Sequence, residues 1–156
     1  APILAFTADE AWECIPGVGT GSVHETDWEP LAFSMTEAES ALWQDLFALR
    51  ELALPELEKA RQAKLIGKAL EARLRITGPA ERLAAAAEQT EALRELLNVS
   101  QLSVTPGGSD AVVVTVEKAE GTRCGRCWHW EPDVGRHAEH PTICGRCVEA
   151  VRTFTS

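Results

Sequence analysis

Cys124-Gly-Arg-Cys127 and Cys144-Gly-Arg-Cys147 are the same tetrapeptide written twice, with sixteen residues between the copies. This C-x2-C-x16-C-x2-C spacing is that of a four-thiolate zinc site. Two residues between paired cysteines let both sulfurs reach one tetrahedral ion from a tight turn. Gly125 and Gly145 suit that turn, because glycine adopts strained backbone angles at little cost. Two disulfides or a redox iron centre are the competing uses of four such thiols. His137 and His140 stand three apart in the intervening segment, but four sulfurs already saturate a tetrahedral ion, so both are read as surface groups. A catalytic zinc keeps an open position beside three protein ligands, and four thiolates leave none. The spacing therefore predicts one structural Zn2+ per chain, held by Cys124, Cys127, Cys144 and Cys147. Residues 121–156 are too few to enclose a core of their own and need such a staple.

Trp128-His129-Trp130 follows the first cysteine pair directly. Either both indoles pack the small zinc core, or one ring is exposed and stacks on an unpaired base, with Arg126 and Arg146 supplying phosphate or base-edge contacts. Spacing leaves both readings open. Trp12, Trp28 and Trp43 sit within apolar patterns and are read as core. Cys14, alone near a predicted helix end, reads as a small buried hydrophobe, and His24 has no evident partner.

Upstream, Thr7 and Glu10 have capping-box spacing, which predicts a helix from about residue 7 to Ile15, closed by Pro16. Ser22 to Trp28 reads as an extended acidic connection. Thr36 with Glu39 repeats the capping signal ahead of a long helix with Leu42, Leu46, Leu49, Ala53, Leu57 and Ala60 on one stripe. Pro55 inside that stripe predicts a kink or a break, and Gly67 is read as closing the element. Leu70, Ala72, Leu74 and Ile76 alternate with polar residues as a half-buried strand does. Gly78-Pro79 opens a second helix, rich in Ala, Glu and Leu, that is expected to run to Asn98. Val99–Val104 and Ala111–Glu117 read as strands on either side of a turn at Pro106-Gly-Gly-Ser-Asp110. The order helix, strand, helix, strand, strand predicts an α+β fold with helical cover on a three-stranded sheet. The expected organisation is a helical segment (1–40), a small α+β unit (41–120) and a four-cysteine zinc ribbon or knuckle module (121–156).

The chain of 156 residues carries a net charge of −9, and residues 1–40 hold eight carboxylates and no Lys or Arg. An anionic partner is not expected to meet those first 40 residues, and any RNA contact has to be local. No apolar run is long enough for a membrane span. The N-terminus lacks Met and a signal-peptide pattern, which reads as a piece of something larger or a processed chain, and the odd cysteine count points to a reducing cytosol. Phosphate loops, nucleophile elbows and His-Glu-x-x-His metal motifs are missing from the sequence.

The run Ala119-Glu-Gly-Thr-Arg-Cys124-Gly-Arg-Cys127-Trp-His-Trp130, followed by His140-Pro-Thr-Ile-Cys144-Gly-Arg-Cys147-Val148, closely resembles the C-terminal zinc module of bacterial isoleucyl-tRNA synthetases. Pro2-Ile-Leu-Ala-Phe-Thr-Ala-Asp-Glu-Ala-Trp12 is similar to the last helices of the anticodon-binding bundle in class I synthetases for isoleucine, valine and leucine, and Ser22 to Trp28 is similar to the segment just after that bundle. Glu58 to Gly67 and Leu70 to Leu74 are similar to that family's C-terminal region. The family's catalytic signatures, H-I-G-H and K-M-S-K-S, do not occur here. The resemblance implies a parent enzyme that ligates isoleucine to its tRNA using ATP, with ATP not bound by this chain. It implies a cytoplasmic monomer, with the isoleucine tRNA and the rest of the synthetase chain as partners and no membrane. It also implies that this part holds the anticodon end, with Arg126 and Trp128 matching the family's contact residues, which favours the RNA reading of the tryptophan. Formamidopyrimidine-type DNA glycosylases end in a similar finger, but they use an amino-terminal proline where this chain begins Ala1-Pro2. A zinc-ribbon adaptor for protein partners is a third reading.

Overall fold

The computed structural model describes residues 3–18, 21–27, 32–107 and 110–154. The chain divides into two compact units, Ala1–Met35 and Thr36–Ser156.

In the first unit, helix α1 spans Ala5–Glu13, and a single 3-10 turn covers Val23–Glu25. The Thr7–Glu10 capping box does not form. Leu4 occupies the N-cap without a side-chain bond, so Thr7 lies inside the helix, where its hydroxyl has no free N–H to cap. The connection is not simply extended either, because Asp9 ties it back to α1. One oxygen of Asp9 accepts from the Ser22 hydroxyl at 2.6 Å and from the Val23 N–H at 3.1 Å. His24, expected to be without a partner, places Nε2 3.1 Å from the Ala5 carbonyl. No residue of α1 is buried, and Cys14 is exposed rather than an interior hydrophobe. Trp12 is half-buried, and Trp28 lies outside the described residues.

The second unit starts with helix α2, Glu37–Gln62. Both halves of its capping box are made: the Thr36 hydroxyl accepts from the Glu39 N–H at 3.2 Å, and the Glu39 carboxylate accepts from the Thr36 N–H at 2.8 Å. Leu46, Leu49, Ala53, Leu57 and Ala60 form the buried stripe read from the sequence. Trp43, by contrast, is 38% exposed and stands beside Phe47, outside that stripe. Of the kink or break expected at Pro55, the break does not occur. Its ring lies on the exposed face, so the unmade backbone bond to the Glu51 carbonyl opens toward water instead of into the core. The helix ends at Ala63, before Gly67, in a Schellman arrangement. The Leu65 N–H reaches the Ala60 carbonyl and the Lys64 N–H the Arg61 carbonyl, both at 3.0 Å, with Lys64 at φ 58° where glycine is usual.

A 3-10 turn at Ala69–Glu71 takes the start of the expected strand, and β1 runs Ala72–Gly78. It is the centre of a three-stranded sheet, parallel to β2 (Gln101–Pro106) and antiparallel to β3 (Val113–Lys118). Ala72, Leu74 and Ile76 face the core, while Arg73 and Arg75 pair with Glu117 and Glu120 on the other face. The parallel crossover holds two helices where one was expected: α3, Ala80–Glu88, and α4, Thr90–Leu97. Gln89, at φ −109° and ψ 31°, breaks the run, and the Thr90 hydroxyl bonds the Ala87 carbonyl at 2.8 Å. Leu83 and Ala86 of α3 and Leu93 and Leu97 of α4 are buried in the same core. Asn98 ends α4 in the left-handed region, with the Val99 N–H on the Arg94 carbonyl at 3.3 Å.

Two substitutions test this packing by chemical denaturation. Pro55→Ala restores a helix bond without touching the core, and stability is expected to rise by as much as about 3 kcal/mol. Leu74→Ala empties a fully enclosed site and should lower stability by about 2–5 kcal/mol. A stability unchanged by Pro55→Ala would show that the helix already accommodates the ring without cost.

Candidate metal centre

Residues 121–154 fold around the cysteines. A short hairpin pairs β4 (Thr122–Arg123) with β5 (Trp130–Glu131) and carries the first knuckle at its tip, and helix α5 (Gly145–Phe154) begins inside the second. The Cys124 N–H bonds the His129 carbonyl at 2.8 Å, and the Trp128 N–H bonds the Cys124 carbonyl at 3.1 Å, which closes the first turn. The Gly125 N–H reaches the Thr142 carbonyl at 2.9 Å and joins the two knuckles. Gly121 makes the hairpin possible. It sits at φ 95°, and a Cβ there would lie 2.4 Å from the Glu131 carbonyl.

The knuckle glycines have a different role from the one expected. Gly125 and Gly145 do not adopt positive φ. They are small because of what stands beside them: a Cβ on Gly145 would come within 2.9 Å of the Asp133 carboxylate. That carboxylate accepts from the Gly145 N–H at 2.7 Å and lies 3.1 Å from His137 Nε2. The hydrogen bond from His137, followed by that from the Gly145 backbone, holds Asp133 below the usual carboxylate range. The strained residue of the knuckle is Trp128, at φ 68°.

The four sulfurs of Cys124, Cys127, Cys144 and Cys147 all lie within 4.8 Å of one another. A tetrahedral Zn2+ with Zn–S bonds of about 2.3 Å sets its sulfurs about 3.8 Å apart. Cys127 and Cys144 already stand at 3.7 Å. The donor set is soft, closed and without room for a water, which fits one structural Zn2+ and no catalytic one. Neither His137 nor His140 joins the cluster. Burial works against the Cys124 thiolate, but donated bonds from the Cys127, Cys144 and Arg126 backbone bring its pKa down to about 6. Burial pushes Cys144 up to about 12, with the neighbouring thiols adding to the rise. Four like groups this close cannot all ionise alone, and a divalent cation is what allows it. Arg126 directs Nη1 at the Cys147 sulfur, 3.7 Å away. Arg146 stands 3.9 Å from Glu95 of α4.

Three cysteines form the buried centre of this module, with Cys127, Val134 and Ile143 packed on them. Neither tryptophan belongs to that cluster. Trp128 is 59% exposed, and Trp130 is half-buried with Lys118 Nζ 6.0 Å from its ring centre. The zinc core is thus separate from the sheet core, and a polar seam joins them. Buried Ser100 donates to the Leu70 carbonyl at 2.5 Å and accepts from the Trp130 N–H at 2.7 Å. Arg94 of α4 reaches the Ser100 carbonyl at 3.1 Å, His129 Nδ1 at 2.9 Å and Glu91 at 2.7 Å. An arginine only donates, so His129 accepts at Nδ1 and carries its proton on Nε2. Burial, with the nearby charges of Arg94 and Arg146, keeps that imidazole below its usual pKa and neutral. The Gln101 amide grips the Glu120 backbone at 2.9 and 3.1 Å. Ser100, Arg94 and His129 carry no signal in the sequence beyond being polar within apolar runs, because their partners are distant along the chain.

Three outcomes are expected. Elemental analysis finds one zinc per chain, and two disulfides in a metal-free protein would refute the site. Chelation removes amide-exchange protection beyond about residue 120 and spares the sheet, because the two cores are separate; loss throughout the chain would mean that they fold as one. Ser100→Ala strands the Leu70 carbonyl and the Trp130 N–H, so unfolding should become easier by about 1–3 kcal/mol for each group left unpaired.

Residues 121–150 match the family described as a zinc finger found in FPG and IleRS. Over 99% of its length the chain is 41% identical to an isoleucine–tRNA ligase of Exiguobacterium sibiricum, of which it covers 17%. It is 43% identical over its whole length to an isoleucine–tRNA ligase of Geobacillus thermodenitrificans, covering 18% of that protein. A ligase of the same name from Acinetobacter baylyi is 39% identical over 95% of the chain. The chain thus spans 17–18% of the length of these relatives. Residues 121–150 thus match the zinc finger found in FPG and IleRS, and the chain as a whole is similar to one segment of the isoleucine–tRNA ligases.

Proposed function

We propose that this chain is the tRNA-binding C-terminal part of a cytoplasmic, monomeric isoleucine–tRNA ligase, an enzyme that joins isoleucine to its tRNA at the expense of ATP. The chain itself contributes no catalytic group. Its zinc module, residues 121–156, presents a rigid surface to the anticodon loop, and the rest of the enzyme carries the chemistry. The observation behind the RNA contact is Trp128. A large indole is 59% exposed and locked in a left-handed backbone next to a metal ligand. An exposed aromatic at a strained, metal-fixed position suits one unstacked base. Arg126, two residues earlier, keeps donors free beyond the one aimed at Cys147. Arg146 would exchange Glu95 for RNA.

The similarity to ligases over almost the whole chain favours this reading over a glycosylase finger, which the matched family shares. No helix among the described residues is long and apolar enough to cross a membrane.

Trp128→Ala in the full-length protein should weaken isoleucine tRNA binding by about 1–3 kcal/mol, the range for one lost stack. Zinc content should stay at one ion and isoleucine activation should be unchanged. Full tRNA affinity in the folded variant would refute the stack. Tighter binding to a DNA duplex than to tRNA would favour the glycosylase finger instead.

A further inference from the structure

In this acidic chain most cations are neutralised where they stand. Eight of the fifteen Lys and Arg residues lie within 4.0 Å of a carboxylate. Among those without such a partner, four are not scattered. Lys64 and Lys118 line one open cleft, and Lys68 and Arg123 line a second together with Trp128 and Trp130. The two clefts meet at Glu71, the sole acid among their lining residues, whose carboxylate is engaged by the Gly67 N–H at 2.8 Å. Lys118 also stands over the Trp130 ring, so the second cleft alternates cations with indole faces. Such interleaving is the pattern of single-strand nucleic-acid grooves.

Backbone strain marks the same path. Apart from Asn98, a residue type that tolerates the left-handed region, the described non-glycine residues with positive φ are Lys64 and Trp128. Glycine would serve the end of α2 at lower cost than Lys64. A lysine held there against its backbone preference points to a use for its charge.

The geometry points to a phosphate track: Lys64, Lys118, Lys68 and Arg123 take the backbone phosphates of the single-stranded nucleotides that flank the base on Trp128, so that the RNA strand runs from the indole toward the end of α2. This rests on the tRNA reading and extends it from one stacked base to the path of the strand.

The test is the salt dependence of isoleucine tRNA affinity in the full-length protein. The triple variant Lys64→Gly, Lys68→Gln and Lys118→Gln is compared with Arg82→Gln and Arg136→Gln, which remove unpaired cations outside both clefts. Each lost single-strand phosphate contact lowers the log–log salt slope by about 0.7, so the triple variant should lose about 2 in slope. Quenching of Trp128 fluorescence at saturating tRNA and zinc content should persist, and the control variant should keep the wild-type slope. A triple variant with wild-type slope and affinity, or an equal loss in the control, overturns the track while leaving the stacked base standing. So does binding by the same lysines to phosphatidylserine vesicles with tRNA affinity untouched. A wild-type protein that does not bind the tRNA overturns both readings. Lys64→Gly alone sharpens the test: the thermal midpoint should rise while the salt slope falls by about 0.7. A lysine kept only for the helix end would give the rise without the fall.

Discussion

Residues 121–154 depend on four sulfurs converging on one point. The buried residues of that module are Cys124, Cys144, Cys147 and Val148, with Cys127, Val134 and Ile143 packed against the cysteines. So little apolar area cannot offset the conformational entropy of ordering the segment. Metal–thiolate bonds supply the difference, and the hairpin, the two knuckles and α5 take their places from the positions of the ligands. The strained backbone of Trp128 has the same origin. A residue that directly follows a ligand in a closed turn has little freedom, and the ion holds it where an unanchored chain would relax.

A metal core without apolar bulk cannot dock by burial, so the module is attached by hydrogen bonds. Ser100, Arg94 and Gln101 project from the α4–β2 region of the sheet unit and engage the backbone and imidazole of residues 129–130 and the backbone of Glu120. Such bonds are directional, and they fix the orientation of the module more narrowly than an apolar contact of equal strength would. Orientation is what the proposed RNA-reading role would require. A stacked base and its phosphates would have to meet an indole and several cations at once, and a module free to swing would lose that register.

The arrangement of charge serves the same end. A net charge of −9 repels a polyanion at long range. Ion pairs along α2 and on the outer face of the sheet absorb many of the cations, and Lys68, Lys118 and Arg123 stay unpaired beside the two indoles. The RNA binding proposed for such a surface would depend on local geometry, which favours selectivity over indiscriminate attraction.

The sequence by itself determined the features whose cause is local. The duplicated Cys-Gly-Arg-Cys specified four ligands because ligand spacing within a tight turn is a short-range property. The Leu46-to-Ala60 stripe, the Thr36–Glu39 capping box and the alternation through Ile76 were legible because helix and strand periods repeat within a few residues. Only the tertiary structure decided the rest. Pro55 stays within an unbroken helix because its ring faces water. The run after Pro79 is broken at Gln89, where the Thr90 hydroxyl takes the Ala87 carbonyl. Thr7 caps nothing because the helix starts earlier, and Cys14 is exposed in a unit where no described residue is buried. Gly125 and Gly145 are small for their neighbours and not for their own backbone angles. The Ser100 and Arg94 seam and the cleft shared by Lys64 and Lys118 bring together residues separated by 30 to 54 positions in the chain. Contacts over such separations carry no periodic signature, because nothing in the intervening sequence has to repeat for them to form.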